Sequence, residues 1–360
     1  MADIPVWTSF HDLPRAFGEP LGQGRLRATP ADFQVEEQLG FAPDDEGDHL
    51  LLWVRKTGAN TEWVARRLAA LAGVPTAEVG FAGLKDRHAI TWQWFSLPRP
   101  RASEPDWPTL AADGIEVLEV RRHRRKLRRG TLAGNRFRLL VRDWSPSDAA
   151  LAARLEAIRT RGVPNYFGDQ RFGHTDGNLI GATELFAGRA RRVDRHRRGL
   201  WLSAARSQLF NQVLAERVRR GDWDAPLVGD RLQLAGCHSH FAADEVDDTI
   251  RERCIRMDLH PTGPLAGAGE PLVQAEVAAL EARLLGDFPG WVAGLAANGL
   301  KQERRALRLP VADLCARRGG DGVELAFGLP AGAYATTLLR ELIDWDDSPG
   351  QHSSTRPADT

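Results

Sequence analysis

One carboxylate set among bases is the grouping best suited to chemistry in this chain of 360 residues. It lies in Gly80-Phe81-Ala82-Gly83-Leu84-Lys85-Asp86-Arg87-His88-Ala89. Two glycines give the backbone freedom, and four ionisable side chains follow in a row. Such a corner can present a reactive aspartate. A carboxylate serves as nucleophile, as general base, or as a stabiliser of developing positive charge. It must be ionised for any of these, and a nearby cation or amide donors favour that form. Lys85 and Arg87 adjoin Asp86 in sequence, but neighbouring side chains usually point apart, so the partner must come from elsewhere in the chain. On pattern alone, a Lys-Asp-Arg run is first of all a solvated loop tip.

The elements around this corner are legible. A helix is predicted from Asn60 to about Ala72, capped by Asn60 or Thr61, with Val64, Leu68 and Leu71 facing a core. Ile90 to Phe95 is aromatic and β-branched and reads as a strand. Arg25 to Gln38 reads as a strand with a Thr29-Pro30-Ala31-Asp32 turn. Phe33 lies on its apolar face, where plain core is the simple assignment. His49 to Lys56 is a second strand, and Pro98 to Ala112 a Pro-rich loop. In Gly134 to Val141 the residues Asn135, Phe137, Leu139 and Val141 share a face. An Asn at the end of an apolar face wants a hydrogen-bond partner, whether a turn or a catalytic group. Ser145-Pro146-Ser147-Asp148 opens a helix that Gly162 ends. Ser203 to Arg220, Asp244 to Met257 and Ala275 to Leu285 are further helices. Strand alternation returns in Val323, Leu325, Phe327 and Leu329, and a helix carrying Leu338, Leu339 and Leu342 follows. The tail from Asp346 reads as disordered.

Formal net charge is zero, so no global basic field is expected. The charge is segregated instead. Asp44, Asp45, Glu46 and Asp48 are acidic, whereas Arg121 to Arg129 and Arg189 to Arg198 are basic. Each basic run is either a solvated face or a phosphate contact. The arginine bias suits bidentate phosphate contacts and equally follows from GC-rich coding. Three cysteines, Cys237, Cys254 and Cys315, are too few and too scattered for a disulfide framework and fit a reducing compartment. Cys237-His238-Ser239-His240 lacks the second pair that a structural zinc site needs. No signal peptide and no membrane span are read.

Four segments, in order, resemble the TruD family of tRNA pseudouridine synthases. They are Gly83-Leu84-Lys85-Asp86-Arg87-His88-Ala89, Asn165 to Gly173, Ser203-Ala204-Ala205-Arg206-Ser207, and Leu329 to Thr336. The resemblance implies that Asp86 is the catalytic residue. It also implies that Phe33 meets the substrate and that Asn135, in a Gly-Asn-x-Phe element, lies beside Asp86 as its better candidate partner. Asn135, Phe137 and Phe327 are further substrate-binding candidates, with Arg27, Lys85 and Arg87 as supporting candidates. The implied fold is α+β: a catalytic domain around a mostly antiparallel mixed sheet, from 1–160 and 308–346, with an inserted α+β domain at 161–307 and a tail at 347–360. The implied reaction turns uridine-13 of tRNA into pseudouridine. That isomerisation has no redox change and loses nothing, so no cofactor or metal is expected. A cytoplasmic monomer with tRNA as its partner is implied. The target base must leave its stack, and Phe33 or Phe327 could hold it. Two other classes keep part of the pattern. An RNA-binding module has no need of Asp86, and a hydrolase needs a second carboxylate or a Ser/His pair, which the sequence does not offer.

Overall fold

The computed structural model describes residues 5–100, 105–190 and 192–346. The tail at 347–360, residues 101–104 of the Pro-rich loop and Arg191 of the second basic run lie outside the described residues. The chain forms two compact units, each from three separate stretches. One holds Leu21–Asp148, Ala312–Gly332 and the residues from Ile343; the other holds the residues up to Pro20, Ala149–Val311 and Ala333–Leu342.

The first unit is built on an eight-stranded sheet. Its strands are β1 (Phe33–Leu39), β2 (His49–Thr57), β3 (Ile90–Pro98), β4 (Ile115–His123), β5 (Leu132–Val141), β6 (Ala312–Gly319) and β7 (Gly322–Pro330), with the short Gly80–Phe81 strand beside β3. Their order is β6-β7-β5-β1-β3-β2-β4. Only β1 and β3 run parallel; every other pairing is antiparallel. Period-two alternation gives the sheet its buried face: Val323, Leu325, Phe327 and Leu329 of β7 are all buried and alternate with less buried neighbours. The tight β6–β7 turn requires Gly322, whose φ is +140° and whose added Cβ would meet the Val141 carbonyl oxygen at 2.1 Å. Helix α1 (Thr61–Ala72) lays Val64 and Leu68 against Leu52, Val54 and Phe95, and Gly73 ends it in the left-handed conformation.

The second unit carries α2 (Asp148–Arg161), α3 (Gly177–Phe186), α4 (Arg195–Arg220), α5 (Asp248–Ile255), α6 (Ala275–Gly286), α7 (Pro289–Ala297) and α8 (Ala335–Leu339). Helix α4 begins eight residues before the expected Ser203. Asp194 is its true cap, its side chain accepting from the Arg197 backbone N–H. Helices α3 and α7 were not expected, because α3 follows the left-handed Thr175 and Asp176 instead of a capping motif. A four-stranded sheet was also hidden. Its strand Leu259–Leu265 contains Pro261 and Pro264, which argue against a strand. Its two halves pair with different neighbours, Asp230–Leu234 and Glu303–Ala306, so neither half needs a full ladder on both sides.

The division between units falls elsewhere than the sequence reading placed it. The residues up to Pro20 and the stretch 333–342 belong with the middle of the chain. Phe10 and Leu13 are part of the core that holds Tyr166, Phe210 and Leu214. Arg340 fastens that N-terminal segment, donating to the carbonyls of Leu13 at 2.5 Å and Pro14 at 3.1 Å. Glu341 accepts from the Ala16 and Phe17 backbone N–H groups.

Candidate active site

Asp86 sits on the loop that joins Gly80–Phe81 to β3, and its side chain is 38% exposed, so a substrate can reach it. Its partner is Arg27, whose Nη2 donates to Oδ2 at 3.1 Å. No hydrogen bond joins Asn135 to Asp86 among the described residues. Lys85 and Arg87 do not pair with it either, as their adjacency predicted: Arg87 Nε donates to the Gly58 carbonyl at 3.4 Å. Arg27 adopts a left-handed φ of 54°, a costly conformation for a non-glycine residue that persists where surroundings fix it. Its guanidinium also lies 4.2 Å from the Phe33 ring centroid.

The loop is held from beneath by groups that sequence reading did not single out. Lys56 of β2 is fully buried, and its Nζ donates to the Asp86 carbonyl at 2.9 Å and the Ala59 carbonyl at 2.7 Å. Burial pushes the Lys56 ammonium down to about 8, against the pull of the Asp86 charge. Lys85 turns the other way and forms a buried ion pair with Glu37 of β1 at 2.5 Å. Glu37 also accepts from the Trp94 backbone N–H. Gln93 donates to the Gly83 carbonyl and accepts from the Thr61 hydroxyl, which itself accepts from the Lys85 backbone N–H. The signal for Lys56, Glu37 and Gln93 was their position on otherwise apolar strand faces, where a polar side chain demands a partner.

The same sheet face carries the aromatic candidates. Strand register sets Phe33 beside Leu139, Val35 beside Phe137, Glu37 beside Asn135 and Phe137 beside Phe327. Phe137 and Phe327 are stacked, with centroids 5.1 Å apart at 18°, and Phe33 meets Phe137 edge-on. All three rings are buried. Asn135 Oδ1 is buried without a hydrogen-bond partner. The opposite face of the sheet has its own hollow, lined by Gln34, Trp92, Arg136 and Arg138 among others. Strand alternation puts that hollow behind the sheet from Asp86.

The two basic runs differ. The first is clasped by the acidic cluster. Arg121 binds Asp45 and Glu119, His123 Nδ1 lies 2.8 Å from Asp44, and Arg124 binds Glu46. Arg129 pairs with Glu62 and lies over the Phe81 ring. Arg125 and Arg128 are exposed and have no ion pair among the described residues. In the second run Arg189 pairs with Glu184, while Arg195 and Arg197 project from the exposed first turn of α4. His240 accepts from Arg231, and no group of three or more His, Cys, Asp or Glu among the described residues could hold a metal ion. No described helix is long and apolar enough to cross a membrane.

Comparison with known proteins bears on this geometry. The family model "tRNA pseudouridine synthase D (TruD)" matches residues 17–183 and 178–342. A tRNA pseudouridine synthase D of Methylococcus capsulatus is 49% identical over 347 residues, covering 96% of this chain and 98% of that protein. One of Nitrosococcus oceani is 47% identical, covering 92% of this chain and 94% of that protein. A crystal structure from Methanosarcina mazei that carries the TruD name is 21% identical, with a TM-score of 0.67 over 94% of this chain and 96% of its own. That likeness shows a shared α+β fold. The match along nearly the whole length, at close to half of all positions, shows that this chain belongs to the TruD family of tRNA pseudouridine synthases.

Proposed function

We propose that this chain converts uridine-13 of tRNA to pseudouridine, with Asp86 as the carboxylate that carries the reaction. The N1–C1′ bond breaks, the base turns, and a C5–C1′ bond forms. C5 gives up its proton and N1 ends protonated, so composition is unchanged. The observation that carries this reading is the Asp86–Arg27 ion pair on a loop fixed by Lys56, Gln93 and the Lys85–Glu37 pair. A fixed carboxylate beside a fixed cation suits a reaction in which charge develops on a sugar. Phe33, Asn135, Phe137 and Phe327 meet the target nucleotide. The unit that holds Asp86 is the catalytic domain, the other unit engages the RNA, and the protein works in the cytoplasm.

The experiment is single-turnover isomerisation of an unmodified tRNA transcript at saturating protein, with the modified position mapped. Pseudouridine at position 13 in wild type and none in Asp86→Asn is the expected result. Product at another uridine overturns the position, and full turnover by Asp86→Asn overturns the mechanism. Tight RNA retention without product in the wild type leaves an RNA-binding module.

A further inference from the structure

We infer that the unit lacking Asp86 carries an anion subsite centred on Arg171, built to take one phosphate group of the RNA backbone. The inference rests on the reading of this chain as an RNA-acting enzyme. Three of the singled-out segments, distant in sequence, meet there. Arg171 Nη1 donates to Ser203 Oγ at 2.9 Å and Nη2 donates to Tyr334 Oη at 2.7 Å. The guanidinium also faces the Phe167 ring, 5.3 Å from its centroid. Both hydroxyls are acceptors toward Arg171, so each keeps its own proton to donate. Arg171 Nε is buried and has no hydrogen-bond partner. The cluster therefore offers several donors and no spare charge of the opposite sign. Among the described residues Arg171 has no carboxylate partner, and the nearest acid along the chain, Asp169, is taken by His11 at 2.7 Å.

The surroundings add positive charge. Arg305 lies 4.1 Å from the centroid of the same Phe167 ring and donates to Asn165 Oδ1 at 2.7 Å. Burial, helped by the Arg171 charge, pushes the Arg305 guanidinium down to about 10. Arg206, one turn along α4 from Ser203, is balanced by Glu303 at 3.1 Å. A half-buried guanidinium without a counter-ion is costly, and an incoming oxyanion removes that cost. A tetrahedral group with several acceptor oxygens matches a donor-only set, and a planar guanidinium favours phosphate.

The alternative is a purely structural clasp joining the 168–173 turn, α4 and the approach to α8. Equilibrium binding of unmodified tRNA to the full chain across a salt series separates the two. Arg171→Gln should weaken binding about tenfold and flatten the log–log salt slope by about 0.7–0.9. A wild-type slope and affinity in Arg171→Gln overturn the subsite. Should that variant fail to fold, Ser203→Ala/Tyr334→Phe removes both hydroxyl donors and keeps the ring and the arginine. It should weaken binding several-fold, and unchanged affinity there also overturns the proposal. Inorganic phosphate that raises the melting temperature of wild type, with tRNA binding untouched in both variants, overturns the assignment to RNA in favour of a free anion. The Asp86→Asn protein, run alongside, must bind as wild type does. Its turnover tests the reaction separately, so loss of either reading leaves the other legible.

Discussion

Replacing Asp86 by asparagine keeps the side chain's size and removes its charge. Its carboxylate pairs with Arg27 and is partly exposed, so stability should change by less than about 1 kcal/mol. Isomerisation should vanish while tRNA binding persists. Asp86→Glu keeps the charge but moves it by about one C–C bond, and a displacement on the order of 1 Å costs about a hundredfold in rate. Single-turnover rates beside melting curves check both. Phe327 makes a different prediction, because the ring is buried against Phe137. Phe327→Leu forfeits a stacked pair and leaves space, for a loss of about 1–2 kcal/mol. Measured well below its melting temperature, the variant should also turn over more slowly than wild type. Wild-type turnover by the folded variant would assign the ring to packing alone.

The loop that presents Asp86 was visible in sequence as a pair of glycines and a run of charge, but its fastening was not. Lys56 and Glu37 reach the loop only because β2 and β1 lie beside β3 in the sheet, and that order is not written in any local pattern. The strand faces of β5 and β7 were legible from period-two alternation, and so was α1. The strand Leu259–Leu265 was not, because its prolines contradict its conformation. The Lys56 clamp has a pH signature. Its ammonium titrates near 8 when folded, against an ordinary value of 10.5. Between those values the unfolded chain holds a proton that the folded chain lacks, so this group's contribution to stability rises with pH across that window. The clamp itself weakens as the same proton leaves. Turnover should therefore fall above about pH 8 while the melting temperature shows no matching loss from this group. Lys56→Met should lower turnover at neutral pH and abolish that alkaline fall. An unchanged alkaline limb in Lys56→Met would assign it to another group.

Across the whole molecule, equal numbers of acidic and basic residues hide a sorted distribution. Asp44, Asp45 and Glu46 are spent on His123, Arg121 and Arg124, so part of a basic run that reads as a phosphate contact is internally neutralised. tRNA binding should still weaken with salt, and the contributions should be unequal. Arg125→Gln and Arg128→Gln should each flatten the log–log slope by about 0.7–0.9, whereas Arg124→Gln should leave it nearly unchanged. A slope that responds equally to all three would mean that the Glu46 pair opens when RNA binds.

The fastening of the N-terminal segment by Arg340 and Glu341 also sets an order of events at the ribosome. Phe10 and Leu13 emerge early, yet the side chains that pin their backbone are translated more than three hundred residues later. Until Arg340 and Glu341 are in place, that segment lacks these backbone clasps and leans on its contacts with Tyr166, Asp169 and Gln208. Loop closures of this span are slow relative to local contacts. The final seating of that segment should thus come late in folding, after the helices of the same core have packed.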